Sequence, residues 1–220
     1  MTEAFDAIFF DNDGVLVDTE PLFLQATQEI LGSVDVRVTA KDYHDISMRA
    51  GRSVFDLAAE RGFSVAEIKA LRARRDVRYS ALLDEGVSIL EGVVEALERL
   101  HGSIPMAIVT SSDRGHLEAM HEQTGLLRYF DFSIANGEYS DGKPHPAPYL
   151  AAAERISVDP ARCLAVEDTE RGLRSATTAA MSCVVIPNDL SKHGDFDLAH
   201  DVFASMNELL PFLESPDRRR

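Results

Sequence analysis

The stretch FFDNDGVLVDTEP, residues 9–21, decides how the rest of the chain is read. An apolar run over 5–10 stops abruptly at Asp11-Asn12-Asp13-Gly14, the mark of a buried strand breaking into a tight loop. Residues two apart in an extended chain face the same side, so Asp11 and Asp13 send both carboxylates into one crevice. Gly14 follows where the backbone has to turn sharply. Taken alone, the fragment fits an ordinary Asn/Asp/Gly surface turn equally well.

Working outward, similar short apolar runs recur at 106–110, 132–135, 163–166 and 183–186. Between them lie stretches with helical spacing, such as Leu117, Met120 and Thr124, or Tyr149, Leu150, Ala153 and Ile156. Strands alternating with helices predict an α/β fold, a doubly wound, Rossmann-like parallel sheet covered on both faces. Ligands of such sheets bind outside the carboxyl ends of the strands. The alternation has one large gap, over 19–90, where the patterning is helical. Pro21 sits just inside a helix start, followed by Leu22, Ala26, Glu29 and Ile30 on helical spacing. Ser64-Val65-Ala66-Glu67 has the form of a capping box and opens a helix towards Leu83. The expected organisation is a catalytic core of residues 1–18 and 91–220 with an inserted helical cap domain over 19–90. Its hinges fall near Thr19 and over 85–92.

Composition sets the outer bounds. Apolar residues make up 45% and charged residues 27%, as in an ordinary globular protein. Net charge is −15, from 37 acidic against 22 basic side chains, and a surface that acidic repels nucleic acid. The basic run at 218–220 reads as a frayed tail. Cys163 and Cys183 each lie in an apolar stretch and read as buried thiols in neighbouring strands. No run approaches the roughly 20 apolar residues that span a bilayer, so no membrane contact is expected. Residues 1–13 carry neither a basic segment nor a long apolar core, so no secretory signal is expected and the location predicted is cytoplasmic. The partner expected is a small phosphorylated metabolite, with the chain a monomer or weak homodimer.

Chemistry concentrates at the strand ends. Thr110-Ser111-Ser112 closes the second run, Gly142-Lys143-Pro144 follows the third, and Glu167-Asp168 ends the fourth. Each has a duller reading: a helix cap, a solvated loop lysine, an acidic turn. Together they offer carboxylates, hydroxyls and a cation, the groups that phosphoryl transfer uses. Clustered acids in one crevice repel one another unless a cation sits among them, and Mg²⁺ takes hard oxygen ligands together with a substrate phosphate oxygen. Asp11 can then attack phosphorus while Asp13 protonates the leaving oxygen and later deprotonates water. Lys143 and the Thr110 hydroxyl would stabilise the equatorial oxygens.

The four segments FFDNDGVLVDTEP, IVTSS, GKPHPAPY and AVEDTERG resemble, in order and position, the motifs of the haloacid-dehalogenase-like phosphohydrolases. The helical insertion resembles the cap of the subgroup that contains beta-phosphoglucomutase and sugar-phosphate phosphatases. The resemblance implies Asp11 as phospho-accepting nucleophile, Asp13 as general acid/base, and Thr110 with Lys143 around the transferring group. It also implies Asp168 as a magnesium ligand with Glu167 close behind, joined by the Asp11 carboxylate and the Asp13 carbonyl. The family's dehalogenases lack the second aspartate, so Asp13 points to phosphoryl transfer.

Departures from the pattern narrow the subgroup. Asn12 fills a position often apolar, and its side chain should point away from the paired aspartates. Phe23 stands where the mutase pattern has a histidine, and Val54 stands where it has an arginine after Gly-x-Ser. Arg49 or Arg52 could compensate. Candidate anchors for a distal anion are Arg114, which follows the Thr110–Ser112 loop, Arg52 and Arg49, and Ser111 is a further substrate-binding candidate. The predicted activity is Mg²⁺-dependent hydrolysis of a small phosphomonoester, a sugar phosphate or phosphorylated sugar acid. The alternatives are a hexose-phosphate mutase and, outside enzymes, a phospho-receiver module.

Overall fold

The first strand, β1 (Ala7–Phe10), is buried along its whole length. Its alternation feeds two separate cores: Ile8 and Phe10 pack on one face of the sheet, Ala7 and Phe9 on the other. That two-sided burial is what a parallel sheet with helices on both faces demands. The computed structural model describes residues 5–215, so the basic run at 218–220 lies outside the described residues.

β1 leads into a helical region made of α1 (Glu20–Gly32), α2 (Ala40–Tyr43), a π-helical turn at His44–Arg49, α3 (Asp56–Glu60) and α4 (Val65–Asp84). The chain then alternates through α5 (Val93–Leu100), β2 (Met106–Asp113), α6 (Arg114–Thr124), β3 (Phe132–Asn136), α7 (Ala147–Arg155), β4 (Cys163–Glu167), α8 (Glu170–Thr178) and β5 (Ser182–Val185). It ends in a two-residue strand, β6 (Asp201–Val202), and α9 (Leu209–Glu214). The six strands are ordered β3-β2-β1-β4-β5-β6, every neighbouring pair parallel. This is the doubly wound α/β architecture the alternation predicts, and β1 lies between β2 and β4, the strands that end in Thr110–Asp113 and Glu167. The residues picked out at strand ends therefore meet at one edge of the sheet.

The helices of 20–84 build a small core of their own around Leu24, Leu31, Tyr43, Phe55, Ala58 and Leu71. They form the helical cap. Ser64 caps α4 as its sequence predicts: its hydroxyl accepts from the Glu67 N–H, and the Glu67 carboxylate accepts from the Ser64 N–H at 2.8 Å. Cys163 and Cys183 are buried, unpaired and on adjacent strands. Among the described residues no helix is long and apolar enough to cross a membrane. β6 has no counterpart in the sequence reading, because two exposed residues starting with Asp carry no apolar run.

Ser64→Ala removes one half of the reciprocal cap and should cost about 1 kcal/mol of stability. Urea denaturation checks this, and an unchanged midpoint would show that the cap does not limit the cap domain's folding.

Candidate active site

Asp11 follows β1 directly, its N–H donating to the Val166 carbonyl at 2.9 Å, so the backbone is still held in the sheet. The loop then folds back, with the N–H groups of Leu16 and Val17 donating to the Asn12 carbonyl. Gly14 takes a positive φ of 83°, and a Cβ there would lie 2.2 Å from Asp168 Oδ2. Only glycine lets this loop pass so close to a buried carboxylate.

Lys143 joins three adjacent strand ends. Its Nζ lies 2.9 Å from Asp11 Oδ1 and 2.6 Å from Glu167 Oε1, and donates to the Val109 carbonyl at 2.8 Å. Burial alone would lower the ammonium's pKa, but the charges of Asp11 and Glu167 outweigh it and push it above the ordinary lysine value. Burial lifts the Asp11 carboxyl to about 7; Lys143 pulls it down, while Glu167 and Asp13 push it up. The Asp168 carboxyl is driven well above its ordinary range by burial, then by Asp11, Glu20 and Glu167.

Asp11, Glu167 and Asp168 each offer an oxygen within 4.8 Å of the others. Asp168 Oδ1 is buried without a hydrogen-bond partner, while Oδ2 accepts from the Asn188 amide at 2.8 Å. A buried, unpartnered carboxylate oxygen beside two other acids is the donor set that a hard divalent cation takes. Glu167 is the most committed of the three. It accepts from the Tyr149 hydroxyl at 2.6 Å as well as from Lys143, and from the Asp168 N–H at 3.3 Å.

Asp13 sits among hydroxyls instead. Thr19 Oγ1 donates to its Oδ1 at 2.5 Å, with the Tyr79 hydroxyl at 3.5 Å. Ser112 Oγ and Thr110 Oγ1 donate to Oδ2 at 2.8 and 3.2 Å. Hydroxyls donate or accept, so this carboxyl can carry a proton or release it and keep its partners. Asp11 and Asp13 line one cavity of about 200 Å³ between the sheet and the cap.

The structure brings Asp11, Asp13, Thr110, Lys143, Glu167 and Asp168 together, and Ser111 lines the same cavity. It does not bring the expected anion anchors. Arg114 turns away: its guanidinium donates to Ser133 Oγ at 2.6 Å, the Ser133 carbonyl at 3.2 Å and Glu138 Oε1 at 2.5 Å. Arg52 pairs with Asp56 on the exposed cap surface at 3.1 Å, and Arg49 reaches Glu170 at 3.4 Å. The cavity's guanidinium groups are Arg75 of α4 and Arg171 of α8, and its further lining includes Ser112, Thr19, Tyr79 and His116. Ser112 has a sequence signal, two positions after Thr110 in a strand. Arg171 has a weaker one, three positions after Asp168 in AVEDTERG.

Asn12 also departs from expectation. Its amide goes under α6, but Nδ2 remains 3.3 Å from Asp13 Oδ2 while His121 Nε2 donates to Oδ1 at 2.8 Å. Burial lowers the His121 ring to about 4, so it is neutral at pH 7, with Thr124 Oγ1 2.8 Å from Nδ1. An asparagine is tolerated here because α6 supplies it with a buried donor.

The sequence profile of the haloacid dehalogenase-like hydrolases matches residues 5–179, and the chain belongs to that family. Within it the chain is a phosphoric monoester hydrolase of the subgroup with a helical cap. It is similar to the fructose-1-phosphate phosphatase YqaB of Escherichia coli (strain K12), 28% identical over 84% of this chain and 97% of the relative. Among solved structures it is similar to CbbY of Rhodobacter sphaeroides in complex with xylulose-(1,5)bisphosphate, at 26% identity, TM-score 0.80 and coverage of 93% and 96%. It is also similar to beta-phosphoglucomutase from Clostridium difficile, at 25% identity, TM-score 0.80 and 93% coverage of each chain.

Two outcomes follow from these contacts. The Asp11 and Glu20 carboxyls sit near 7 in the fold against ordinary values of 3.8 and 4.5, so the native state holds extra protons in between. Metal-free protein should therefore lose stability as pH rises from about 4 through about 7, and saturating MgCl₂ should raise Tm more at about pH 8 than at about pH 5. An equal shift at both pH values would remove the acid cluster as the cation's site. His121→Leu strips the Asn12 carbonyl of its donor and should cost about 1–3 kcal/mol, and Asn12→Leu/His121→Leu should cost less than the sum of the singles. Strict additivity in urea titrations would sever the link.

Proposed function

We propose that this chain hydrolyses a small phosphomonoester, a sugar phosphate or phosphorylated sugar acid, through an aspartyl-phosphate on Asp11 with Mg²⁺ as cofactor. The observation that carries this reading is the pairing of Asp11 with Asp13 in one cavity, in two unlike environments. Asp11 is tied to a buried ammonium through Oδ1, which favours the anion a nucleophile must be. Asp13 is surrounded by hydroxyls that serve either protonation state.

In the first step an Asp11 carboxylate oxygen forms the bond to phosphorus and the bond to the leaving oxygen breaks. Asp13 gives that oxygen its proton. In the second step water attacks the same phosphorus, Asp13 takes its proton, and the bond to Asp11 breaks to release orthophosphate. The buried Lys143 ammonium would offset negative charge on the transferring group, and the Thr110 hydroxyl would bond one of its oxygens. Bound Mg²⁺, held by Asp11, Asp168 and Glu167 with the Asp13 carbonyl, would neutralise charge on the acids and the phosphoryl oxygens. The helical cap lies over the cavity and limits access of bulk water.

The likeness to a mutase raises isomerisation as the second reading. The cavity favours hydrolysis. Phe23, at the position of the mutase pattern's histidine, packs edge-on against Tyr79 at 5.1 Å, with the Arg75 guanidinium 4.1 Å from its ring centre, and His116, which also lines the cavity, is paired with Ser80 at 3.0 Å. Val54 is buried in the cap, and Arg49 and Arg52 point elsewhere. A receiver module is disfavoured by the helical cap and by membership of a hydrolase family.

Asp11→Asn should lower kcat for para-nitrophenyl phosphate by about 10⁴-fold or more, with circular dichroism unchanged. Wild type given beta-glucose 1-phosphate should release free phosphate on each turnover. Retained turnover in the variant removes Asp11 as nucleophile, and glucose 6-phosphate forming without phosphate release would make the chain a mutase.

A further inference from the structure

We propose that Arg171 binds a second oxyanion on the substrate, so that the preferred phosphomonoester carries a carboxylate or a second phosphate besides the group that is cleaved. This rests on the phosphatase reading and concerns what that site selects. Two guanidinium groups line the cavity shared by Asp11 and Asp13, one from each wall. Arg75, on the cap side, is already engaged. Its Nε donates to Asp76 Oδ1 at 2.8 Å, and its plane lies over Phe23 at 4.1 Å and near Phe55 at 5.5 Å. Arg171, on the core side in the first turn of α8, has no such partner. Among the described residues it makes no ion pair, and its Nε is buried without a hydrogen bond.

A buried guanidinium donor without an acceptor is costly, and structures seldom leave one unexplained. None of the acids around it bonds to it. Glu20 Oε2 accepts from the Tyr43 hydroxyl at 2.6 Å. Glu170, its chain neighbour, is ion-paired with Arg49 at 3.4 Å and Arg174 at 2.5 Å. Glu167 is held by Lys143 and Tyr149. Each has another partner, although Asp168 Oδ1 and Glu170 Oε1 also lack a hydrogen bond, and Arg171 lines the cavity with no hydrogen bond of its own among the described residues. A planar fork of this kind matches a carboxylate or a phosphate through paired hydrogen bonds. Ser47 of the cap lines the same cavity and offers a hydroxyl to the same group. The cavity holds a small ester, so an anion reaching Arg171 while phosphorus sits at Asp11 belongs to a short molecule such as a phosphorylated acid or a sugar bisphosphate.

The test compares kcat/KM for three esters on wild type, Arg171→Met and Arg171→Lys. Phosphoglycolate carries the carboxylate, xylulose 1,5-bisphosphate the second phosphate, and fructose 1-phosphate neither. Wild type should prefer at least one of the doubly anionic esters to fructose 1-phosphate. Arg171→Met should lower kcat/KM for that ester by about tenfold to a hundredfold while changing fructose 1-phosphate by less than about threefold. Arg171→Lys keeps the charge and tests the same point where the Met variant fails to fold. It should recover part of the loss for the bisphosphate and little for the carboxylate, because an ammonium lacks the fork. The preferred ester identifies which oxyanion is read. An equal fall for all three esters would make Arg171 a counter-ion of the acid cluster and overturn the proposal, as would a wild-type preference for fructose 1-phosphate. Wild type releasing phosphate from none of the three, nor from para-nitrophenyl phosphate, would instead sink the phosphatase reading beneath it.

Discussion

The buried Lys143 ammonium is the contact on which the site depends. Three adjacent strands, β2, β1 and β4, end around it, and it bonds to a backbone or side-chain oxygen from each. Its three N–H donors are all used. Two carboxylates about 5 Å apart repel by on the order of 3 kcal/mol at an effective dielectric of about 20, and three such groups meet here. Without the lysine the strand ends would carry uncompensated buried charge, the most expensive arrangement a core can hold. One cation does not balance three acids, however. The remainder shows as carboxyls that hold their protons, Asp11 to about 7 and Asp168 well above its ordinary range. The burial that shapes the site thus opposes the ionisation its chemistry needs. A divalent cation among the same oxygens is the economical resolution of that conflict.

Asp13 answers a different demand. Only two residues from Asp11, it meets hydroxyls in place of a cation: Thr19, Tyr79, Thr110 and Ser112. Two carboxylates doing opposite work need different surroundings: a lysine beside Asp11 that offsets part of its burial, and hydroxyls around Asp13. The strand supplies this by geometry. Asp11 is the last residue held by the sheet and reaches the lysine beneath it, whereas Asp13 lies on the loop that Gly14 turns upward beneath the cap.

Much of this was legible because it follows from period and position. An apolar run ending in Asp-x-Asp-Gly fixes two carboxylates at a strand end, and parallel pairing then assembles Thr110, Lys143, Glu167 and Asp168 beside them. The Ser64–Glu67 box marked the start of α4 for the same local reason. What the sequence did not disclose depends on direction across elements. Arg114 is next to the site in sequence, yet at the start of α6 its side chain runs back over β3 to Ser133 and Glu138. Arg171 enters the cavity only because the first turn of α8 faces the cap, and no local pattern states where the cap sits. Asn12 looked like an apolar position filled by an odd residue. Its partner His121 is over a hundred positions away, beyond reach of any periodicity.

The cap also does more than cover. Thr19 lies at the passage from the core loop into α1, and Tyr79 comes from α4, so two of the five bonds to the Asp13 carboxyl arise from the cap side. The proton-handling group is therefore completed by the same elements that enclose the substrate. Other polar contacts between the two parts are Ser80 with His116 at 3.0 Å and the Gln123 amide donating to the Leu83 carbonyl at 2.9 Å. Arg49 meets the buried Glu170 at 3.4 Å with its own side chain largely exposed. Gly51 rests against Pro144, where a Cβ would come within 2.6 Å of the ring. Apolar packing joins the two parts as well, since Ala26, Tyr79, Leu82 and Leu83 share one buried cluster with Ile8, Phe10 and Leu117 of the core. A guanidinium without a partner on one wall of the cavity, and a hydroxyl-bound carboxyl under the other, are where a substrate's charge would act.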